Sequence, residues 1–428
     1  MARAAFHTLG CKVNQYETQK IAESFLARGF ELVDFSERAD VYVINSCTVT
    51  HTADSKSRQA ARNAWRRSPD ALVVLTGCYA ESSPETAGDV EGVSAVVGNQ
   101  EKGRIVEHVM NRLAPALVKD LGSAGKPDLR TGRTRALVKV QDGCDRFCSY
   151  CVVPFARPVM SSRPLAEILA ELESLAGRGF KEVVLTGIRL GCYFDENGTD
   201  LTGVVGAAAA VAGIERVRLS SIESTDVPAG LIELMSRNRR VCRHLHVPLQ
   251  SGHVGILKRM NRPYTPGEYR AFVELVRSQV PGIAITTDIM VGFPGEGEEE
   301  FEATRRFMEE VRFARAHVFR YSARPRTAAA RLPDEVPAAE KQRRSRILTD
   351  LAAVHSAQFA ANLVGKTVPI LLEGKSIRGK LWSGLTDNYV RVEVEADAHM
   401  AGEVVDVRVI GVSPGRVLGA MVTPACAA

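Results

Sequence analysis

The sequence lacks a hydrophobic run long enough to cross a membrane. Its most apolar stretch, residues 204–214, is rich in Ala and Gly and is far shorter than the ~20 residues that a membrane-spanning helix needs. The opening MARAAFHTLGCKVNQ contains neither an apolar core nor a small-residue cleavage site, so we expect no secretory signal peptide. Internal repeats and low-complexity tracts are absent as well. We therefore expect a cytoplasmic globular protein.

A strong excess of either charge is also missing. The formal net charge of +5 at pH 7 permits a polyanionic partner without requiring one. Apolar residues make up 45% of the chain and charged residues 25%, as in ordinary globular proteins. A chain of 428 residues is too long for one ordinary core, so its length predicts two or three domains.

The N-terminal region predicts an α/β sheet domain. Over residues 1–118, β-like runs (VYVINS, ALVVLTG and SAVVG) alternate with helical segments, one of them at about residues 15–28. The stretch KDLGSAGKPDLRTGRTR, at 119–135, is polar and has no period, which indicates a linker. We place a domain boundary there.

Residues 130–361 predict a second α/β domain. Six β-like segments alternate with helices, a pattern typical of a parallel, partly closed (β/α)6 barrel. These segments lie near residues 136–140, 182–186, 216–221, 244–247, 283–291 and 316–321. A long helix follows at about 338–363, and the apolar period then falls to two. The runs KTVPILLE, NYVRVEVE, EVVDVRVIGV and RVLGAMV predict a five-stranded antiparallel β-barrel at 362–425.

Nine cysteines in a chain that is expected to stay in a reducing compartment favour metal binding or redox chemistry over disulfides. Cys11, Cys47 and Cys78 each stand where a β-like run gives way to a loop or a helix. Because the ends of parallel strands lie side by side at one edge of a sheet, we expect these three cysteines to converge.

A second group, Cys144, Cys148 and Cys151, stands in VQDGCDRFCSYCVVPFAR, directly after the first predicted barrel strand. Three thiolates at this spacing fit three irons of a cubane cluster and leave the fourth iron without a protein ligand. Such an iron can chelate the amino and carboxylate groups of S-adenosylmethionine and pass an electron into its sulfonium bond. The alternative is a zinc site, but a closed zinc site takes four ligands, and no fourth Cys or His is obvious nearby.

The C-x-x-x-C-x-x-C spacing after the first barrel strand resembles the signature of the radical S-adenosylmethionine superfamily. The whole chain resembles the methylthiotransferase family, which adds an N-terminal domain with three cysteines and a C-terminal β-barrel called TRAM. TLGCKVNQYET, INSCTVTHTADSKSRQ and LTGCYAE match the family's N-terminal pattern around Cys11, Cys47 and Cys78. The resemblance implies two [4Fe-4S] clusters, of which the Cys144 cluster cleaves S-adenosylmethionine and the N-terminal cluster carries the sulfur to be transferred.

The resemblance also implies a reaction. One S-adenosylmethionine methylates sulfur on the N-terminal cluster, and the radical from a second opens C2 of an adenosine to receive the methylthio group. The wording around the first two cysteines is most similar to the subgroup that makes 2-methylthio-N6-threonylcarbamoyladenosine at position 37 of tRNA. The implied partners are the tRNA anticodon stem-loop and a reducing electron donor such as flavodoxin or ferredoxin. The alternatives are isopentenyladenosine in tRNA, a ribosomal-protein aspartate, or a non-enzymatic, zinc-stabilised RNA-binding protein.

Residues at the strand ends of the barrel are expected to hold S-adenosylmethionine. Tyr150 is placed to pack against its adenine, and LTGIRLGCY puts Thr186 and Gly187 where the family's backbone holds the methionine amino group. The other polar residues expected near this pocket are Ser221, Glu223, Gln250 and Asp288. For each polar side chain the alternative is a structural hydrogen bond.

Basic residues predict contacts with RNA phosphates. The candidates are Arg157, Arg163, Arg324, Arg343 and Lys380. A solvated charged surface is the alternative for each of them. The sequence departs from the family where Pro158 and Arg326 replace glycines, which reduces the backbone freedom of two loops. The three remaining cysteines, which we expect to be structural, are Cys192, Cys242 and Cys426.

Overall fold

The computed structural model describes residues 1–115, 117, 121, 134–333, 336–376, 381–413 and 415–422. The chain forms two compact units, each discontinuous in sequence. The N-terminal unit comprises Met1–Thr131, Asp142–Met160 and Ser322–Arg331, and the C-terminal unit comprises Gly132–Gln141, Ser161–Tyr321 and Leu332–Ala428. Most of the predicted linker lies outside the described residues. Within the described ranges, no helix is both long enough and apolar enough to pass through a membrane.

The N-terminal unit is built on a five-stranded parallel sheet with strand order β2-β1-β3-β4-β5. Every residue of β3 is buried, as expected when helices cover both faces of a parallel sheet. The strands are β1 (Arg3–Thr8), β2 (Glu31–Val33), β3 (Val41–Ser46), β4 (Leu72–Gly77) and β5 (Ala95–Val97). The helices are α1 (Lys12–Ala27), α2 (His51–Arg67), α3 (Cys78–Ser82), α4 (Pro84–Gly88), α5 (Ile105–Met110) and α6 (Val153–Ala156).

Two separate cores lie on the two faces of this sheet. Phe25 of α1 and Ile105 of α5 belong to one core, and Ala61 of α2 and Tyr79 of α3 belong to the other. Helix α2 begins at a regular N-cap, because the Thr50 side chain accepts a hydrogen bond from the main-chain N–H of Ala53. The predicted α/β sheet domain is confirmed.

The C-terminal unit contains six parallel strands in two sheets of three, with orders β10-β9-β6 and β11-β12-β13. Parallel bridges from Val217 to Val241 and from Ser221 to His246 join the two sheets, which confirms the predicted partial barrel. The strands are β6 (Arg135–Lys139), β7 (Gln141–Asp142), β8 (Ser161–Ser162), β9 (Glu182–Thr186), β10 (Arg216–Leu219), β11 (His244–His246), β12 (Ala284–Val291) and β13 (Arg315–Arg320), where β7 and β8 form a separate two-stranded sheet.

Helices cover the outside of this barrel and close one large apolar core with it. They are α7 (Leu165–Gly177), α8 (Leu201–Ala210), α9 (Ala229–Arg237), α10 (Val254–Arg259), α11 (Pro266–Gln279), α12 (Glu298–Val311) and α13 (Ala338–Ala361). Helix α11 begins with a capping box, in which Thr265 and Glu268 each accept from the other's main-chain N–H.

The chain ends in a closed five-stranded barrel with strand order β14-β15-β16-β18-β17. All neighbouring strands are antiparallel except β16 and β18, which pair in parallel. The strands are β14 (Thr367–Lys375), β15 (Trp382–Thr386), β16 (Arg391–Val394), β17 (Val404–Ser413) and β18 (Arg416–Met421). The predicted small β-barrel is confirmed, although no sequence run had pointed to β15.

Candidate functional site

Strand register places the first three cysteines at one edge of the N-terminal sheet. Thr8, the last residue of β1, pairs with Asn45, and Ser46 pairs with Gly77 on the next strand. Cys47 and Cys78 each follow a strand directly, and Cys11 comes three residues after the end of β1. The predicted convergence therefore follows from the pairing of β1, β3 and β4.

Two glycines allow the chain to pass closely at this edge. Gly10 has φ +97°, and a Cβ there would lie 2.9 Å from the sulfur of Cys47. Gly77 has φ +96°, and a Cβ there would lie 2.4 Å from the carbonyl oxygen of Ser46. Only glycine adopts this backbone without strain and fits the space. The two glycines therefore allow the turns before Cys11 and Cys78 to pack against the segment of Cys47.

The thiols of this group influence one another. Burial raises the pKa of Cys47 to about 11, and the neighbouring Cys78 and Cys11 add to the rise. The sulfur of Cys11 lies 3.9 Å from Oδ1 of Asn14. Nδ2 of Asn14 donates to the carbonyl oxygens of Leu9 and Ser46, at 2.8 and 2.9 Å. Asn14, which sequence reasoning missed, thus ties the start of α1 to the ends of β1 and β3.

The second cysteine group lies in a loop of the N-terminal unit, and all three residues are half-buried. The N–H of Cys151 donates to the carbonyl oxygen of Cys148 at 2.9 Å, which closes a turn between them. Gly143 has φ +83°, and a Cβ there would lie only 2.0 Å from the carbonyl oxygen of Val159. The two ends of the loop therefore cross at Gly143, directly before Cys144. Tyr150 is half-buried in the same loop.

The donor sets fit iron–sulfur clusters better than zinc. Each of the two groups supplies three thiols. A closed zinc site needs four donors around one ion, so neither cysteine group matches it. A cubane cluster presents a separate iron to each thiolate, and its ligands need not approach a common point.

Two predicted cofactor residues lie at the end of β9. Thr186 is buried, and Gly187 follows it without a positive φ. A Cβ on Gly187 would lie 2.9 Å from Oε1 of Gln141, and the same oxygen accepts from the N–H of Arg189 at 2.7 Å. The glycine is therefore required for the close approach of Gln141, a residue that sequence reasoning did not single out.

Asp288 lies between two histidines that the sequence analysis missed. Its Oδ2 is 3.2 Å from Nε2 of His246, and its Oδ1 is 3.5 Å from Nδ1 of His317. Burial alone would raise the pKa of Asp288, but its interactions with the two histidines outweigh burial and hold that pKa well below its usual range. Asp288 pairs with His317 on the next strand, and His246 pairs with Thr286, two residues before Asp288. Residues two apart on a strand lie on the same face, so the strand register, which the sequence does not give, brings the three side chains together.

The remaining predicted cofactor residues differ in their surroundings. Ser221 is exposed, and Glu223 forms an ion pair with Arg262. Gln250 has φ +71°, which is unusual for a residue with a side chain, and forms a parallel bridge with Ile289 of β12. For Glu223, the structural ion pair is the observed contact.

Two of the arginines predicted to contact RNA are buried. Arg157 is 4% exposed and bonds to Glu17 and Asp142, and Arg324 is 4% exposed and bonds to Asp54. The structure therefore does not support phosphate contacts for Arg157 or Arg324, because carboxylates inside the N-terminal unit already neutralise both guanidiniums.

The other basic candidates lie elsewhere. Arg163 is half-buried and paired with Glu171, whereas Arg343 is exposed and paired with Glu298 and Glu340. Lys380 lies outside the described residues. Among the remaining cysteines, Cys192 is 3.8 Å from Oδ2 of Asp226, Cys242 is fully buried with a pKa raised by burial to about 12, and Cys426 lies outside the described residues.

Two families match the sequence. One, described as "Uncharacterized protein family UPF0004", matches residues 3–98, and the Radical SAM superfamily matches residues 138–308. Among curated proteins, the "Threonylcarbamoyladenosine tRNA methylthiotransferase MtaB" of Bacillus subtilis (strain 168) is 38% identical over 96% of this chain and 94% of its own. The "tRNA-2-methylthio-N(6)-dimethylallyladenosine synthase" of Thermotoga petrophila is 33% identical over 97% of this chain and 96% of its own.

A solved structure shares the fold. The radical S-adenosylmethionine methyltransferase TsrM from Kitasatospora setae, with cobalamin and a [4Fe-4S] cluster bound, superposes with a TM-score of 0.56. It is 17% identical and covers 77% of this chain and 74% of its own, so the likeness concerns the fold alone. Because the relatives at 38% and 33% identity extend over nearly the whole sequence, the chain belongs to the radical S-adenosylmethionine methylthiotransferase family.

Proposed function

We propose that this protein is a radical S-adenosylmethionine tRNA methylthiotransferase. It converts N6-threonylcarbamoyladenosine at position 37 to its 2-methylthio form. The observation that carries this proposal is the presence of two separate groups of three thiols in one compact unit, one at the sheet edge and one in the loop after β6. A family member that only bound RNA would need neither group.

Each group is assigned one cofactor. Cys144, Cys148 and Cys151 would hold the [4Fe-4S] cluster that binds S-adenosylmethionine. The sheet-edge group, which is Cys11, Cys47 and Cys78, would hold the second [4Fe-4S] cluster. When bound, the clusters supply the electron for reductive cleavage of one S-adenosylmethionine and the site at which another one methylates the transferred sulfur.

The chain's own residues bind and orient the cofactor in this proposal. Tyr150 packs against the adenine of S-adenosylmethionine. The main chain at Thr186 and Gly187 accepts hydrogen bonds from the amino group of the cofactor's methionine part. Ser221 and Gln250 remain candidates for further polar contacts. Glu223, which is paired with Arg262, and Asp288, which lies beside His246 and His317, are candidates at the same pocket.

The substrate assignment rests on the relatives. Several threonylcarbamoyladenosine tRNA methylthiotransferases match the chain at 36–38% identity over at least 90% of its length. The dimethylallyladenosine synthase of Thermotoga petrophila matches at 33%. Threonylcarbamoyladenosine is therefore the favoured substrate, and dimethylallyladenosine is the second candidate.

The partners follow from the reaction. We propose tRNA as the substrate, contacted by Arg163, by Arg343 on helix α13 and by Lys380. A low-potential donor of the flavodoxin or ferredoxin type supplies the electron, and the reaction takes place in the cytoplasm. We assign three functional regions to the chain, 1–118 for the sheet-edge cysteines, 130–361 for radical chemistry and 362–425 for the TRAM barrel.

Nucleoside mass analysis of tRNA tests the proposal. Cells lacking the gene should lose 2-methylthio-N6-threonylcarbamoyladenosine and accumulate its precursor, and the intact gene should restore the product. Genes carrying Cys47→Ala or Cys148→Ala should not restore it. Loss of the methylthio form of dimethylallyladenosine instead would establish the second candidate. No change in either nucleoside, in a strain without a second such enzyme, would refute both.

A further inference from the structure

Arg157 connects the loop of the second cysteine group with the helix that follows Cys11. Its NH1 donates to both Asp142 oxygens, at 2.7 and 2.9 Å, and Asp142 stands two residues before Cys144. Its two terminal nitrogens also donate to both carboxylate oxygens of Glu17 in α1, each at 2.8 Å. The carbonyl oxygen of Arg157 accepts from the N–H of Cys144 at 3.2 Å. One residue thus fixes both segments.

Asn14 brings this connection to the Cys11 thiol itself. Its Oδ1 accepts from NH2 of Arg157 at 3.0 Å and lies 3.9 Å from the sulfur of Cys11. Glu17 also accepts a hydrogen bond from Nζ of the buried Lys102, at 2.5 Å. Two cations, Arg157 and Lys102, face two carboxylates, Glu17 and Asp142. In the described contacts, Arg157 and Lys102 are therefore both paired with buried or half-buried carboxylates.

Arg324 makes a second connection of the same kind. Its NH2 donates to Thr48, the residue after Cys47, at 2.7 Å, and to Asp54 of α2 at 2.5 Å. Five residues later, the N–H of Ala329 donates to the carbonyl oxygen of Ser149, at 2.7 Å. Ser149 lies between the second and third cysteines of the loop. The segment 322–331 therefore joins the residues after Cys47 to the loop of the second cysteine group.

The departure at Arg326 belongs to the same segment. Arg326 keeps φ +71°, the backbone conformation that glycine would adopt easily. Its guanidinium lies 4.8 Å from the ring centre of Phe155, whose ring meets that of Phe147 edge to face at 5.7 Å. Phe147 directly precedes Cys148. The side chain that replaces glycine thus adds a contact between segment 322–331 and the cysteine loop.

We propose that Arg157 and Arg324 are positioning residues, each bonded to a segment beside an N-terminal cysteine, that hold the loop of Cys144, Cys148 and Cys151 at a fixed separation from the sheet-edge cysteines. This inference rests on the proposed function, in which both groups act on one nucleobase. A planar guanidinium with five donors suits the role, because it can bond two segments at once. Misplacement by 1 Å can lower the rate of such a reaction by ~100-fold.

The test compares Arg157→Lys and Arg324→Lys with Arg270→Lys. Lysine keeps the charge but has a single ammonium group in place of the planar five-donor guanidinium, so it cannot reproduce the several bonds that each arginine makes to two segments. Arg270 is the matched control, because it is exposed and paired only with Glu310 in the described contacts. Each anaerobically reconstituted protein is assayed for iron, for 5′-deoxyadenosine and for methylthiolated anticodon stem-loop. The informative quantity is the ratio of methylthiolated RNA to 5′-deoxyadenosine.

We expect both variants to keep their iron and to cleave S-adenosylmethionine, while the ratio falls by about tenfold or more. The Arg270→Lys control should keep the wild-type ratio. A purely structural role would lower both products in parallel, and that result would overturn the inference. An unchanged ratio in the folded variants, or loss of iron from both, would overturn it as well. If one variant does not fold, the other decides, since their contacts are separate.

Hydrogen exchange separates this inference from the proposed function. In Arg157→Lys, the amides at 142–151 and at 12–18 should both exchange faster than in the wild type. In Arg324→Lys, the amides at 48–54 and at 147–151 should both exchange faster. If the wild-type enzyme makes no methylthiolated RNA, the proposed function fails. The exchange measurement still tests whether Arg157 and Arg324 each connect two segments. Faster exchange in only one segment of a pair would refute these connections.

Discussion

Glu182 holds two buried arginines that attach the C-terminal barrel to β9 and β10. It is completely buried, and its Oε1 accepts from Nε of Arg218 at 2.7 Å, while Oε2 lies 3.6 Å from Arg216. Arg216 donates to the carbonyl oxygens of Leu385 and Pro369, at 2.8 and 2.6 Å. Replacing Glu182 with Gln should therefore destabilise the attachment of the barrel.

The magnitude follows from burial. Arg216 and Arg218 have side chains that are 5% and 1% exposed, so solvent cannot compensate for the lost carboxylate. Breaking a buried ion pair from one side costs about 3–5 kcal/mol. Arg218 has further ties, because it donates to the carbonyl oxygens of Thr386 and Asp387 and lies 5.1 Å from the ring centre of Tyr389. These bonds keep its charge in place when Glu182 becomes neutral.

Urea unfolding followed by tryptophan fluorescence measures this cost. The chain has two tryptophans, and Trp65→Phe leaves Trp382, in the C-terminal barrel, as the reporter. Glu233→Gln is the control, because Glu233 is 56% exposed and its ion pair with Arg237 contributes less than about 1 kcal/mol. If Glu182→Gln changes the free energy of unfolding no more than the control does, the carboxylate does not hold the barrel.

Three further changes have expected outcomes. Gly77→Ala should lower the melting temperature and the iron content, because the new Cβ would overlap the carbonyl oxygen of Ser46 and the backbone there has φ +96°. The control Gly103→Ala, whose Cβ would have no atom within 4 Å, should change neither quantity. Thr265→Ala should lower the free energy of unfolding by about 1 kcal/mol in a urea titration, since it removes a capping box from α11. Cys47→Ala should hold about half the wild-type iron but still release 5′-deoxyadenosine, so full iron content would contradict its assignment.

The sequence was sufficient for the elements that depend on local patterns. The six barrel strands and the helix at Ala338–Ala361 were predicted within a few residues, because local patterns mark them: short β-like segments for the strands, and a long stretch without Gly or Pro for the helix. Cys47 and Cys78 were placed correctly at strand ends, because each directly follows a β-like run in the sequence. Strand β15 was missed because WSGLT is short, and its pairing partners rather than its own pattern define it.

Contacts between distant segments were not predictable in this way. Arg157 and Arg324 stand in Arg-rich stretches that suggested contacts with RNA phosphates, yet they pair with Glu17 and Asp54, which lie 140 and 270 residues away in the sequence. No periodicity reports such a pairing. For the same reason, the inclusion of segments 142–160 and 322–331 in the N-terminal unit could be found only from the structure.

The most direct measurement is the reaction of the anaerobically reconstituted protein with two synthetic anticodon stem-loops, one with threonylcarbamoyladenosine and one with dimethylallyladenosine at position 37. With S-adenosylmethionine and a reductant, mass analysis should find the 2-methylthio group on the threonylcarbamoyladenosine RNA and far less on the other. A protein that contains about eight irons and cleaves S-adenosylmethionine, but methylthiolates neither RNA, would contradict the account.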